Sequence, residues 1–242
     1  MKSLIQSGVL LIVSVFFVSS AFAFGLSSLT GGSKSSAPAG PSVSQLCDLF
    51  DGANSDVCDA GFHATKGALS LEVIVADDQT KDKIDAQLES LNKCKTPDEK
   101  NKVCGDLMPT VSDGVNKGID EGKYKTAKLT EDQLKEVPRV GFNVLLCALK
   151  DKSAIDRLSR VKDTAQAAIA RAQADPISAA KDADKIAKLS SAIKTIPNVI
   201  DSANEQIKLA AVTGTAIKQL TVGNKIDSFK EPKATDTFSN GN

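Results

Sequence analysis

Residues 155–176 read IDRLSRVKDTAQAAIARAQADP and carry the most regular apolar pattern of the chain. Apolar side chains recur there every three or four residues, which places them on one face of a helix. The pattern stops before Asp175-Pro176, where Asp is a favourable cap and Pro suits the first position of a following helix. This stretch therefore predicts a long amphipathic helix with a short break after it.

The pattern continues towards the C-terminus in two further segments, 179–193 and 200–220, which Thr195 to Pro197 separates. Three consecutive helices of roughly twenty residues with short connections are typical of an antiparallel bundle. Alanines four residues apart in the second segment allow two helices to approach closely. The C-terminal third therefore predicts three helices that pack side by side.

Helical signals also fill the first part of the bundle. Thr96-Pro97-Asp98-Glu99 and Thr130-Glu131-Asp132-Gln133 are capping boxes, in which the first and fourth side chains bond to each other's backbone amides. Apolar residues spaced by three and four predict a helix from Val43, a second helix capped by Ser55, and a third over residues 84–91. The fold class predicted is all-α: an antiparallel bundle of six to seven helices over residues 43–222.

Two segments leave alternatives open. LSLEVIV (69–75) alternates partly and fits a strand as well as a helix, while 112–126 is weakly patterned and fits a loop.

Pro109 and Pro138 are expected to kink or end the helices that contain them, because proline lacks the backbone N–H.

The five cysteines are Cys47, Cys58, Cys94, Cys104 and Cys147. In an oxidising compartment we expect disulfides, and an odd number leaves one thiol over. CDLFDGANSDVC (47–58) contains an Asp-Gly turn signal and predicts a helical turn closed by a Cys47–Cys58 disulfide. Cys94 is paired with Cys104, with Cys147 as the open alternative, and Cys147 in its apolar run is expected to be a buried free thiol.

The acidic residues of the same loop raise the question of calcium. An EF-hand needs oxygen ligands at its first, third and fifth positions. Starting at Asp48 the third and fifth residues are Phe50 and Gly52, and starting at Asp51 the third is Ala53. Neither register fits, so neither a metal ion nor a cofactor is expected.

The N-terminus predicts export. Lys2 precedes an uncharged apolar run over residues 8–18, and Ala21-Phe22-Ala23 fits a small-x-small cleavage site. Residues 1–23 are therefore interpreted as a signal peptide, and the mature protein as periplasmic or extracellular. The run is too short for a membrane span, which needs about 20 apolar residues.

A segment rich in Gly, Ser and Pro precedes the bundle, and a similar segment without apolar periodicity follows it. Residues 24–42 are interpreted as a flexible leader and residues 223–242 as a disordered tail. Loss of Lys2 with the signal removes one of 30 basic residues and none of the 30 acidic ones. This balance argues against nucleic acid, which requires a basic surface.

Residues that could carry catalysis are few. His63 is the only histidine, one helical turn after Asp59, and is interpreted as part of a surface pair with a pH-sensitive contact as the alternative. The acidic pairs at 77–78 and 98–99 stand beside helix starts, where the exposed amides favour negative charge. No catalytic residues are predicted, and the chain is not expected to be an enzyme.

The main functional hypothesis is an exported, non-catalytic helical bundle that binds another protein or has a structural role in the cell envelope or secreted fraction. The alternative is a carrier of a lipid or other apolar ligand, or a membrane-active helical protein. VGFNVLLCAL (140–149) is interpreted as a central core helix, with an apolar face beyond core needs as the alternative. No transmembrane span is expected once the signal is removed.

Overall fold

The computed structural model describes residues 40–224, and this part of the chain is helical without any strand. The predicted signal peptide, the leader up to residue 39 and the tail from residue 225 lie outside the described residues. The helices are α1 (Val43–Val75), α2 (Asp78–Lys93), α3 (Pro97–Asp120), α4 (Lys123–Thr126), α5 (Glu131–Ala174), α6 (Pro176–Lys181) and α7 (Ala183–Asn224). The prediction of an all-α protein is confirmed.

Helix starts follow the predicted capping signals. Thr96 accepts the backbone N–H of Glu99, whose carboxylate accepts the N–H of Thr96, and Thr130 and Gln133 do the same at the start of α5. Asp175 caps α6, with Pro176 at its first position. Local side-chain chemistry therefore sets these boundaries, as the sequence indicates.

The predicted turn within residues 47–58 is wrong, because α1 runs without a break from Val43 to Val75. Asp51-Gly52 lies inside the helix on its exposed side, while Leu46, Ala53 and Val57 continue one buried face past it. Burial of that face outweighs the turn preference of Asp-Gly. The 69–75 segment is also helical, so its strand alternative is excluded.

The disulfide assignments are wrong, since all five cysteines are free. Cys47 and Cys58 are eleven residues apart on one helix, about 16 Å along its axis at 1.5 Å per residue, whereas a disulfide needs Cα atoms within roughly 7 Å. Cys94 caps the end of α2 and its thiol donates to the Ser90 carbonyl at 3.5 Å. Cys104 is buried on α3, and Cys147 is a free, fully buried thiol on α5.

The break predicted at Thr195 to Pro197 is absent. α7 is a single helix of 42 residues that continues through Pro197. The Thr195 hydroxyl donates to the Ala192 carbonyl at 3.0 Å. Ile196 and Ala203, before and after the proline, are fully buried on the same face. Their burial offsets the backbone hydrogen bond that proline removes. Pro109 and Pro138 likewise lie inside α3 and α5.

The weakly patterned 112–126 segment is helical at both ends rather than a loop. α3 continues to Asp120, and Gly122 then adopts a φ of 70°, a left-handed conformation that glycine reaches without steric cost. The turn leads directly into α4. Gly223 and Asn224, which were predicted to belong to the tail, form the last residues of α7.

Three long helices, α1, α5 and α7, form the body of the bundle. Gln133 at the start of α5 donates to the Ile74 carbonyl at the end of α1, at 2.9 Å. At the other end Arg171 of α5 donates to the Pro41 carbonyl at 3.1 Å, and Lys185 of α7 donates to Ser44 at 3.1 Å. Thus α5 is antiparallel to both α1 and α7.

The buried residues of the three helices form two apolar clusters along the bundle axis. The first cluster lies between the C-terminal half of α1, the N-terminal half of α5 and the C-terminal half of α7, and it includes residues of α2, α3 and α4. The second contains residues of α1, α5 and α7 only. We call these regions the covered half and the three-helix half.

In the covered half, α4 is attached to α1 through polar contacts. The Tyr124 hydroxyl donates to the Glu72 carboxylate, and Lys123 Nζ lies 3.0 Å from the same group. The Tyr124 ring is fully buried and passes close to Gly118, where a Cβ would lie 2.8 Å from Tyr124 Cε2. These contacts hold α4 against the C-terminal part of α1.

Candidate functional site

A buried polar layer separates the two apolar clusters. The buried residues of α5 that face the bundle axis, here called seam residues, recur at alternating intervals of three and four. Asp151 is the seam residue between Cys147 and Ala154. Gln206 occupies the equivalent position between Ala203 and Ala210 of α7. We call Asp151, Gln206 and the neighbouring Gly61 of α1 the polar layer.

Asp151 is the most unusual residue of this layer. Its side chain is 0% exposed, and neither carboxyl oxygen has a hydrogen-bond partner within the described part of the chain. Burial raises the pKa of this carboxyl from 3.8 to about 9, with a further contribution from the negative charge of Asp56. Asp151 is therefore protonated at neutral pH.

Gln206 fills the space above Gly61. Its Nε2 lies 3.3 Å from the Ser202 hydroxyl, while its Oε1 is buried without a partner among the described residues. A Cβ at position 61 would lie 2.6 Å from Gln206 Nε2. Glycine is therefore required at position 61 if the amide is to lie between the helices in this way.

Cys147 lies one helical turn from Asp151 and is 0% exposed. Burial, followed by the charge of Asp151, raises the pKa of its thiol well above the ordinary value. A neutral thiol without access to solvent is a poor nucleophile and metal ligand. The arrangement can store a proton on Asp151, but it does not present a reactive group to a substrate.

The charged groups next to the layer are already engaged. Asp56 of α1 forms an ion pair with Arg157 of α5, and both side chains are about one-third exposed. Arg157 therefore pairs with Asp56 and not with Asp151. An unpaired carboxyl, a buried amide and a neutral thiol remain in the interior.

His63 is half-buried, not on the open surface where the sequence placed it. Burial lowers the pKa of its imidazole from 6.5 to about 4, although the nearby carboxylate of Asp59 acts in the opposite direction. His63 is therefore neutral at pH 7. Its charge would change only in acidic solution.

The acidic pairs are at helix starts, as predicted. Asp77 caps α2 by accepting the Thr80 N–H at 2.8 Å, and Asp78 is the first residue of that helix. Asp98 and Glu99 lie in the first turn of α3. Between residues 40 and 224, no three His, Cys, Asp or Glu side chains stand close enough together to hold a metal ion.

A second feature lies on the surface of the three-helix half. Ile186, Ile193 and Ile200 follow one another at intervals of seven residues on α7, and all three are half-buried against the second cluster. Lys185 and Lys188 of the same helix contact α1, and the three isoleucines lie roughly 100° further round the helix. We call these three residues the isoleucine row.

Sequence reasoning identified the cysteines, His63 and the acidic pairs but missed the polar layer. A signal was present, because Asp151 and Gln206 interrupt apolar positions spaced by three and four. It becomes visible only when residues 137–168 are read as part of one continuous helix, α5.

None of the helices between residues 40 and 224 is both long enough and apolar enough to cross a membrane. Comparison of the chain with protein families, with curated proteins and with solved structures found no match in any of the three. Function is therefore inferred from the chain's own residues and contacts.

Proposed function

We propose that the chain is an exported, non-catalytic helical-bundle protein that serves as a binding or structural component of the cell envelope or the secreted fraction. Export is supported by the charged start, apolar run and cleavage pattern of residues 1–23. The binding role is supported by the isoleucine row. Its partner is a protein that contributes an amphipathic helix.

The observation that carries the binding role is the seven-residue spacing of Ile186, Ile193 and Ile200. Apolar side chains at this interval form a straight stripe along a helix, which is how an amphipathic partner helix is recognised. They are only half-buried, so each retains apolar surface that a partner can cover. In the covered half the corresponding core receives α2, α3 and α4 of the same chain.

A non-catalytic role is supported by the state of the titratable groups. Asp151 and Cys147 are closed off from solvent, and Asp77 and Glu99 are occupied with backbone amides at helix starts. The alternative, a carrier of an apolar ligand, requires space between the helices. Close contacts oppose it, since a Cβ at Gly67 would lie only 2.7 Å from Val144 Cγ2.

Export is tested by cell fractionation and N-terminal sequencing of the protein purified from its own cells. We expect a mature chain that begins at Phe24 and is found in the envelope or the medium. Recovery of an uncut chain from the cytoplasm would disprove export.

Binding is tested with a photo-crosslinking amino acid at Ile193 and, as the matched control, at the exposed Asn198 on the same part of α7. We expect one crosslinked protein of defined mass from position 193 and none from position 198. Ile200→Asp should abolish that adduct, whereas Asn198→Asp should leave it unchanged. Equal labelling from both positions, or none from either, would contradict the proposal.

A further inference from the structure

The polar layer interrupts a seam that is otherwise apolar. Above and below it, the residues facing the bundle axis are almost all aliphatic, with Cys147 and Ala154 on either side of Asp151. Continuous apolar seams hold helices together along their whole length. A layer that can gain charge is therefore the point at which the three helices separate most easily.

A buried carboxyl without a partner is tolerated only when it is neutral. Ionisation would leave a full charge at the bundle axis, and transferring such a charge from water costs far more than burying the protonated acid. Gln206 Nε2 donates to the Ser202 hydroxyl, and neither oxygen of Asp151 receives a hydrogen bond from any described residue. In the closed layer, therefore, no hydrogen bond compensates an ionised Asp151.

We propose that the polar layer is a proton-controlled opening point: it is closed while Asp151 carries its proton, and loss of that proton separates α1, α5 and α7 locally at this level. The opening exposes seam residues of both apolar clusters. It regulates access to the bundle interior and is independent of the isoleucine row.

The charged groups around Asp151 come from α1 and from α5 itself. From α1, the carboxylate of Asp56 disfavours a second negative charge, and its partner Arg157 is thereby engaged. From α7, the layer receives only the neutral Gln206. On α5 itself the neighbour is the Cys147 thiol, on which the charges of Lys150 and Asp59 also act.

The direction of the pH dependence follows from these contacts. The pKa of Asp151 is about 9 in the closed bundle, compared with 3.8 for an exposed aspartate. The open state therefore loses its proton at much lower pH than the closed state. Between these two values the open fraction rises about tenfold per pH unit, and above 9 it levels off.

Hydrogen exchange of the full-length mature protein between pH 6 and 9.5 tests this mechanism, after correction for the intrinsic rate of amide exchange. We expect corrected exchange in peptides covering 144–158 and 199–213 to rise up to about tenfold per pH unit. Asp151→Asn keeps the shape but cannot ionise, and it should show no such rise. The exposed Asp163→Asn is the control and should behave like the wild type.

A carbon-13 NMR titration of the Asp151 carboxyl in the wild-type protein gives an independent answer if Asp151→Asn fails to fold. A transition well above pH 7 that coincides with the rise in exchange supports the proposal. A transition in the ordinary acidic range, or equal pH dependence of exchange in wild type and Asp151→Asn, would overturn it.

Discussion

The covered half and the three-helix half use the same three helices in different surroundings. Both have apolar seams with residues three and four apart, and both contain fully buried leucines such as Leu209 and Leu158. Only the covered half gains α2, α3 and α4 as an outer layer. The outer layer contributes fully buried side chains of its own, such as Tyr124, whereas Ile193 in the three-helix half is only half-buried. The apolar seam of three helices is thus enough to build this half of the bundle, while α2, α3 and α4 add burial only in the other half.

The largest effect is expected from a cavity in the three-helix half. Leu158→Ala should lower the free energy of unfolding by about 2–5 kcal/mol, because a fully buried leucine leaves a gap that its neighbours fill incompletely. Chemical denaturation measures the loss, and hydrogen exchange shows where protection falls. We expect the loss of protection to stop at the polar layer, and Leu209→Ala should show the mirror-image pattern. Equal loss in both halves for both variants would remove the distinction between them.

The next effect concerns the boundary between the halves. The raised pKa of Asp151 means that the folded state retains a proton that the unfolded state has lost between pH 4 and 9. Its stabilising contribution is complete below about pH 4 and declines by about 1.4 kcal/mol per pH unit until the pH reaches 9. Urea denaturation from pH 6.5 to 9 should show this decline in the wild type. The same slope in Asp151→Asn would rule out Asp151 as its source.

Two substitutions with smaller expected effects on stability test how tightly the covered half is packed. Gly67→Ala would place a Cβ 2.7 Å from Val144 Cγ2, and we expect a loss of about 1–3 kcal/mol. Gly114→Ala meets nothing within 4 Å on the exposed side of α3 and should gain about 0.5–1 kcal/mol through helix propensity. Thermal denaturation of both variants gives the comparison. A change in stability of the same sign in both variants would show that Gly67 is not in close contact with Val144.

The smallest effect is expected at acidic pH. Because burial lowers the pKa of His63 to about 4, the unfolded state takes up a proton at higher pH than the folded state. The stabilising contribution is present above pH 6.5 and declines as the pH falls to 4. Between pH 6.5 and 4, the His63 contribution to stability falls as the pH falls, whereas the Asp151 contribution rises. His63→Gln should therefore become more stable towards pH 4 relative to its own value at pH 7 than the wild type does, and parallel curves would contradict this assignment.

Features that depend on neighbouring residues could be predicted from sequence. The capping boxes at Thr96 and Thr130, the cap at Asp77 and the Asp175-Pro176 boundary involve contacts within three residues. The periodicity of 155–172 similarly predicted an amphipathic helix. For these elements the sequence determines the structure because the interacting groups lie within one helical turn.

The joining of segments into long helices could not be predicted in this way. Asp51-Gly52 and Pro197 carry strong local signals for a break, yet seam residues on both sides are buried against two other helices. That burial is shared among α1, α5 and α7 and outweighs a local preference of one to three kcal/mol. The same continuity separates Cys47 from Cys58 and prevents their disulfide.

The all-α class and the capped helix starts follow from the sequence alone, because each depends on short-range chemistry. Tertiary packing makes α1, α5 and α7 continuous, places Asp151 and Gln206 at the bundle axis and leaves the isoleucine row half-buried. These features depend on which helix lies opposite. The free energy that selects them comes from burial between segments far apart in the chain.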